Sequence, residues 1–154
     1  MTVAVDAHTT VLMSSSDKED FGAAFAELGL EVRLGPPLEV RGGADAWRLI
    51  LETDWGVVRD TIIAGAIASG IGAGSRAAAQ KLRALFNRVA LRTKGPKDGI
   101  ITLKEKDAPV ELLIRVQDID SDAPWEQLMQ TRLEGRLVWS PEDMKWIEND
   151  RGRT

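Results

Sequence analysis

Apolar positions recur along this chain with two different periods, and each change of period marks an element. His8–Met13 (HTTVLM) is β-branched and apolar and predicts a strand, with Met1–Ala7 as a frayed start. Ser16 with Glu19 three residues on has the form of a capping box, so a helix is expected from there. Phe21, Phe25 and Leu28 then share one face, and Gly29 stops the helix. Leu30–Leu34 alternates apolar and charged, a second strand closed by Gly35-Pro36-Pro37. Glu39–Gly43 fits a short strand or a loop. In Ala46–Glu52 the alternation of Trp47, Leu49 and Leu51 favours a strand over a helix.

Trp55–Arg59 leads into a Gly/Ala-rich stretch, Thr61–Ala79 (TIIAGAIASGIGAGSRAAA). After it, Leu82, Leu85, Phe86 and Val89 make one apolar face of a helix. Gly99–Glu105 and Val110–Val116 read as two strands of a hairpin. Asp120–Pro124 is a helix-start cluster, followed by the apolar stripe Trp125, Leu128, Met129 and Leu133 and by Gly135 as the stop. Arg136–Trp139 is a short strand. Ser140-Pro141-Glu142-Asp143 has the form of a helix start, so a last short helix with Met144 and Ile147 facing inward is expected. Arg151–Thr154 is expected to fray. The whole predicts an α+β fold with a mixed or antiparallel sheet and helices packed on it.

The Gly/Ala stretch admits four readings. In the first it is a close-packed helix, because Ala66, Gly70 and Gly74 recur every four residues, as do Gly65 and Ser69, and small residues at that spacing let a second backbone approach. The second is a membrane segment. Thr61–Ser75 carries no charge, but it is shorter than the about 20 apolar residues that spanning needs. In the third, Gly72-Ala73-Gly74-Ser75-Arg76-Ala77 is a dinucleotide fingerprint, with Gly72, Gly74 and Ala77 against a pyrophosphate and Arg92 and Lys94 suited to a 2′-phosphate. That reading needs a strand before the glycines, and Ile63–Ile71 is a poor one. The fourth is a flexible linker, which the recurring isoleucines oppose. The first is preferred.

Composition sharpens this picture. The chain has 154 residues, the size of one ordinary domain, and it shows no repeat or clean linker, so one domain over residues 1–154 is expected. It has no Cys and a single His, which leaves no thiolate zinc site, Cys nucleophile or disulfide framework. Met1–Val11 lacks the features of a secretory signal, and a cytoplasmic location is expected. Asp6, His8 and the Ser14–Ser16 run form no nucleophile elbow, so they read as a strand-end His and a helix cap. No catalytic residue, metal site or cofactor is assigned.

Net charge is −4, unevenly spread. Met1–Val58 holds 10 acids and 4 bases, Arg59–Lys106 holds 3 acids and 10 bases, and Asp107–Thr154 holds 11 acids and 6 bases. Arg76, Lys81, Arg83 and Arg88 begin an acid-free basic stripe that continues through Arg92, Lys94 and Lys97. Such a stripe can neutralise phosphates, but only Phe86 is there to stack on a base, and it lies on the apolar face. The alternative is a solvated face, or a dock for the chain's own acidic flanks or an acidic partner. Trp139 and Trp146 are candidates for a partner contact, with core packing as the other role.

The order of elements, from the strand–helix opening through IIAGAIASGIGAGSRAAA, QKLRALFNRV and the hairpin IITLKEKDAPVELLIRV, resembles the effector-associated constant component family of bacterial conflict systems. The resemblance covers Val32–Leu133, and Arg136–Asp150 is additional to it. It implies a non-enzymatic adaptor role beside an effector, with a protein partner or self-association and no catalytic residues to carry over. The alternatives are a nucleotide-binding protein, a nucleic-acid binder and a membrane-interacting module. The candidate interaction residues are Gly70, Gly74, Arg76, Lys81, Arg83, Arg88, Trp139 and Trp146.

Overall fold

The structure, a computed structural model, describes residues 3–10, 14–36, 48–68, 75–92, 99–130 and 133–148, with the backbone alone at 66–68, 75, 91 and 92. The expectations at Glu39–Gly43, Gly70, Gly72, Gly74 and Arg151–Thr154 lie outside the described residues.

The first strand, β1, is Val3–Thr9. It therefore begins within the segment expected to fray. Val5 and Ala7 are fully buried, and the strand is hydrogen-bonded on both edges, which holds a short sequence of small residues in place. Helix α1, Ser15–Ala26, follows. Its cap is Ser14, whose Oγ accepts from the Asp17 N–H at 3.2 Å, two residues before the expected cap. Three consecutive serines offer the same chemistry, and only the one three residues before Asp17 makes the bond. Phe21 and Phe25 pack together under α1 at 5.1 Å. Gly29, at φ +78°, then turns the chain into β2, Leu30–Leu34.

Strand β3 is Arg48–Thr53, helix α2 is Trp55–Ala68 and helix α3 is Ser75–Arg92. The predicted hairpin forms as β4, Ile100–Glu105, antiparallel to β5, Glu111–Arg115. Helix α4, Asp122–Gln130, begins inside the expected cluster, and β6 is Arg136–Ser140. The expected last helix is instead a strand, β7, Lys145–Glu148, antiparallel to β6. The local chemistry at this point is as read: Ser140 Oγ accepts from the Asp143 N–H at 3.2 Å. A serine cap closes a tight turn as readily as it opens a helix. Met144 takes φ +53° at the end of that turn, which points the chain back along β6 and leaves Met144 exposed rather than inward.

The seven strands form one mixed sheet in the order β2-β1-β3-β4-β5-β6-β7, within an α+β fold. Parallel and antiparallel pairings alternate across it, and each parallel pair is joined through helix: α1 between β1 and β2, α2 and α3 between β3 and β4, α4 between β5 and β6. The four helices cover one face. Their core residues pack on two register rows of the sheet, Ala7-Leu51-Leu103-Leu112 and Thr9-Leu49-Ile101-Ile114. Helix α3 is central in the helical layer, in contact with α1, α2 and α4.

The Gly/Ala stretch is thereby divided. Thr61–Ala68 ends α2, Ser75–Ala79 opens α3, and the two helices pack on each other. Close approach is made in α3, where Ala78 and Ala79 are fully buried. It is not made at Gly65, where a Cβ would meet nothing within 4 Å. An interior helical glycine in open space costs about 0.5–1 kcal/mol against alanine. Gly65→Ala is expected to raise unfolding stability by that amount in a urea titration; a loss would show that a neighbour does approach there.

Candidate functional site

Three surfaces bring chemistry-bearing residues together. The basic stripe lies along α3, as expected, and three of its described members, Arg76, Arg83 and Arg88, meet acids of this same chain. Arg83 donates from Nε to Asp120 Oδ1 at 2.9 Å and from Nη1 to Asp122 Oδ1 at 3.0 Å, and Asn87 donates to Asp120 at 3.0 Å. Arg88 bridges to Glu27 of α1 at 3.0 Å, and Arg76 approaches Glu126 of α4 at 3.9 Å. Lys81 lines a shallow recess of about 280 Å³ between α1 and α3. The stripe thus ties the central helix to its neighbours on both sides.

These contacts leave an electrostatic mark. The Asp120 carboxyl is held below its ordinary value, first by the hydrogen bonds from Arg83 and Asn87 and then by the Arg83 charge. Asp118, on the short 3-10 turn Val116–Asp118, is pushed up by burial. A carboxyl with a lowered folded-state pKa stabilises fully above its unfolded value and loses that contribution as pH falls through the folded one. The Asp118 effect has the opposite sign, because acidification relieves its buried charge. Asp120→Asn should therefore remove part of the acid-side fall in stability below about pH 3.8, as read by urea midpoints from pH 7 to pH 3. A pH profile identical to the wild type would contradict the pairing.

The second surface is a recess of about 610 Å³ at the start of α2, lined by Asp54, Trp55, Arg59, Glu105, Leu112 and Leu128 among others. Its volume is in the range of small-molecule pockets. Most of its polar groups serve the fold. The Glu105 carboxylate accepts from the Trp55 N–H at 3.2 Å, Asp54 Oδ1 accepts from the Val57 N–H at 3.2 Å, and the Trp55 indole donates to the Lys104 carbonyl at 3.0 Å. Arg59 pairs with the neighbouring Asp60 at 3.5 Å. The N-terminus of α2 is capped by the chain itself. Among the described residues, no group of His, Asp and Glu is placed to hold a metal ion.

The third surface is the sheet face opposite the helices. Side chains alternate along a strand, so the residues between the core positions point here. Direct register partners place Ile50, Thr102, Leu113, Val138 and Ile147 in one row across β3 to β7, with His8 at its β1 end. All are half-buried, and the aliphatic ones stand apart from the hydrophobic core on the other side. On one side of this row lie Asp6, Glu52, Lys104, Glu111 and Arg136. On the other lie Arg48, Ile100 and Arg115. No helix covers this face among the described residues. Asp6 and His8 do share it, but Ser14 is engaged as a cap, and the His8 imidazole lies over Gly35, filling the space a side chain there would take.

Several sequence candidates are placed differently. Trp139 and Trp146 are both buried, edge to face at 5.5 Å, and the Trp146 indole donates to the Pro124 carbonyl at 3.2 Å. They fasten the β6–β7 hairpin to α4 and offer little surface to a partner. Ala77 is half-buried in α3. The residues ahead of the proposed fingerprint are helix α2 through Ala68, where a dinucleotide site requires a strand. No described helix is long and apolar enough to cross a membrane.

The open sheet face escaped sequence reasoning. Its signal was present in the second residue of each alternation, Ile50, Thr102, Leu113 and Val138, but the register that aligns them is set by long-range pairing. Comparison with known proteins finds no family model, no curated protein and no solved structure that matches this chain.

Proposed function

We propose that this chain is a non-enzymatic interaction domain that docks a protein partner on its open sheet face. The observation that supports this most strongly is the apolar row Ile50-Thr102-Leu113-Val138-Ile147, bordered by charged rows and not covered by a described helix. An apolar centre with a charged rim is the anatomy of a protein interface. The recess at α2 supports the same view from the other side, since two of its carboxylates, Asp54 and Glu105, are occupied at the start of that helix. An adaptor role beside an effector, in the cytoplasm and within a bacterial conflict or signalling system, is what the resemblance of element order adds.

The test is site-specific photo-cross-linking in living cells. A photoreactive residue at Leu113 on the sheet face should give discrete protein adducts that Val138→Glu suppresses. The same group at Gln80, exposed on α3, is the control. Adducts from position 80 with none from position 113 would overturn the assignment of the face.

A further inference from the structure

We infer that the occupant of the open sheet face is a second copy of this chain, packed face to face about a twofold axis that runs along the apolar row. The inference rests on the face being an interaction surface and adds the identity of its partner.

On each of two strands of this face an acid and a base stand too far apart to meet within one chain. Arg48 and Glu52 lie on the same side of β3, four residues apart, hence about 13 Å apart along the strand. Glu111 and Arg115 stand in the same relation on β5. Between each arginine and its glutamate lies the apolar row, at Ile50 on β3 and at Leu113 on β5. A twofold axis along that row exchanges its two sides. It sets Glu52 of one copy over Arg48 of the other, and Glu111 over Arg115, each twice by symmetry. The same operation places Lys104 over Ile100, so the remaining cation of the central strands meets an apolar side chain rather than another cation.

The apolar row meets itself in this arrangement, and the strands of the two sheets run antiparallel. Two twisted sheets stacked this way keep their strand directions within about 30°, the aligned packing of β-sandwiches, with side chains interdigitating across about 10 Å. Glu111 is also paired with Lys104 at 3.7 Å and Arg136 at 3.3 Å in its own chain, so in the dimer it is shared between these cations and Arg115 of the second copy. A different protein could cover an apolar row, whereas an acid and a base on opposite sides of that row, on both β3 and β5, make the face complementary to itself.

Sedimentation equilibrium of the full chain tests this. A single chain is 16.9 kDa, and the wild type is expected at twice that mass. Glu52→Arg or Arg48→Glu alone places like charges opposite each other and should weaken the dimer roughly tenfold or more. The double variant, carrying both changes, should restore the wild-type dimer. Circular dichroism and thermal melts of all variants check that each is folded, and the rescue separates a broken contact from a broken fold. A folded wild type that stays monomeric at 100 micromolar, or a dimer indifferent to both single reversals, would overturn the inference. In that case sheet-face adducts to a different protein from position 113 would show that the interaction reading survives. Neither dimer nor position-113 adducts would remove both.

Discussion

Trp125→Ala should lower unfolding stability by about 3–5 kcal/mol, the range for truncating a large aromatic in a close-packed interior. Trp125 is fully buried at the start of α4. Its ring lies parallel to Phe86 of α3 with centroids 4.5 Å apart and an interplanar angle of 7°, and its indole N–H donates to the Ile119 carbonyl at 2.9 Å. The substitution removes the stack, leaves a cavity between the two helices and orphans the carbonyl. Because α3 is the centre of the helical layer, neighbours on both sides limit how far the site can collapse. In a chain of this size the loss corresponds to a fall in melting temperature of roughly 10–15 °C. Trp125→Phe keeps a stacked ring and forfeits the hydrogen bond, so it should cost about 1–2 kcal/mol. Urea titrations of the two variants measure both numbers. If Ala and Phe were equally mild, the stack would not be a principal support of the α3–α4 contact.

The same contact explains the charge pattern of the chain. A basic centre between acidic ends is unusual as a surface property and ordinary as a packing one. The fold seats α3 between α1 and the turn that leads into α4, so Arg88 meets Glu27 and Arg83 meets Asp120 and Asp122. Exposed pairs of this kind contribute little each. Their effect is on arrangement: they favour α3 between these neighbours over its other placements on the sheet. Bases and acids are segregated along the chain, and the described pairs dock the basic helix on the chain's own acidic flanks.

What the sequence disclosed, and what it withheld, follows the range of the forces concerned. The amphipathic face Leu82-Leu85-Phe86-Val89, the stop at Gly29 and the hairpin Ile100–Arg115 depend on residues within a few positions, and they were legible. The local pattern starts β1 too late because the strand's stability comes from two partners, β2 and β3, that are distant in sequence. A run of Val and Ala shows little local preference for it. The terminal hairpin reads as a helix in the sequence for the opposite reason. The Ser140 cap was identified correctly, but the strands beside it are decided by Trp139 meeting Trp146 across the pair. The open sheet face is the extreme case. Each of its residues looked like the polar or incidental member of an alternating strand, and only the register lines five of them up.

Trp146→Ala is the second large effect expected, and its spatial pattern is as telling as its size. Trp146 sits on β7, at the edge of the sheet, beyond which no described strand follows. It packs edge to face on Trp139 at an angle of 69°, and its indole N–H reaches the Pro124 carbonyl of α4. Besides this ring, the Gln127 amide of α4 donates to the Met144 carbonyl just ahead of the strand at 2.7 Å, a contact that buries no comparable apolar area. Truncation should cost about 3 kcal/mol. The damage should concentrate in the hairpin, because edge elements open before the centre of a sheet does. Amide exchange is expected to accelerate most over Arg136–Glu148, with β1, β3 and β4 less affected. Trp139→Ala should produce the same regional signature, since each ring is the other's packing partner. The competing role for these two tryptophans is display to a protein partner, and that role predicts a different result: stability and exchange near the wild type, with partner binding lost. Their burial and the indole hydrogen bond favour the first outcome, and they leave Val138 and Ile147, on the other side of the strands, as the positions where the proposed docking face crosses β6 and β7.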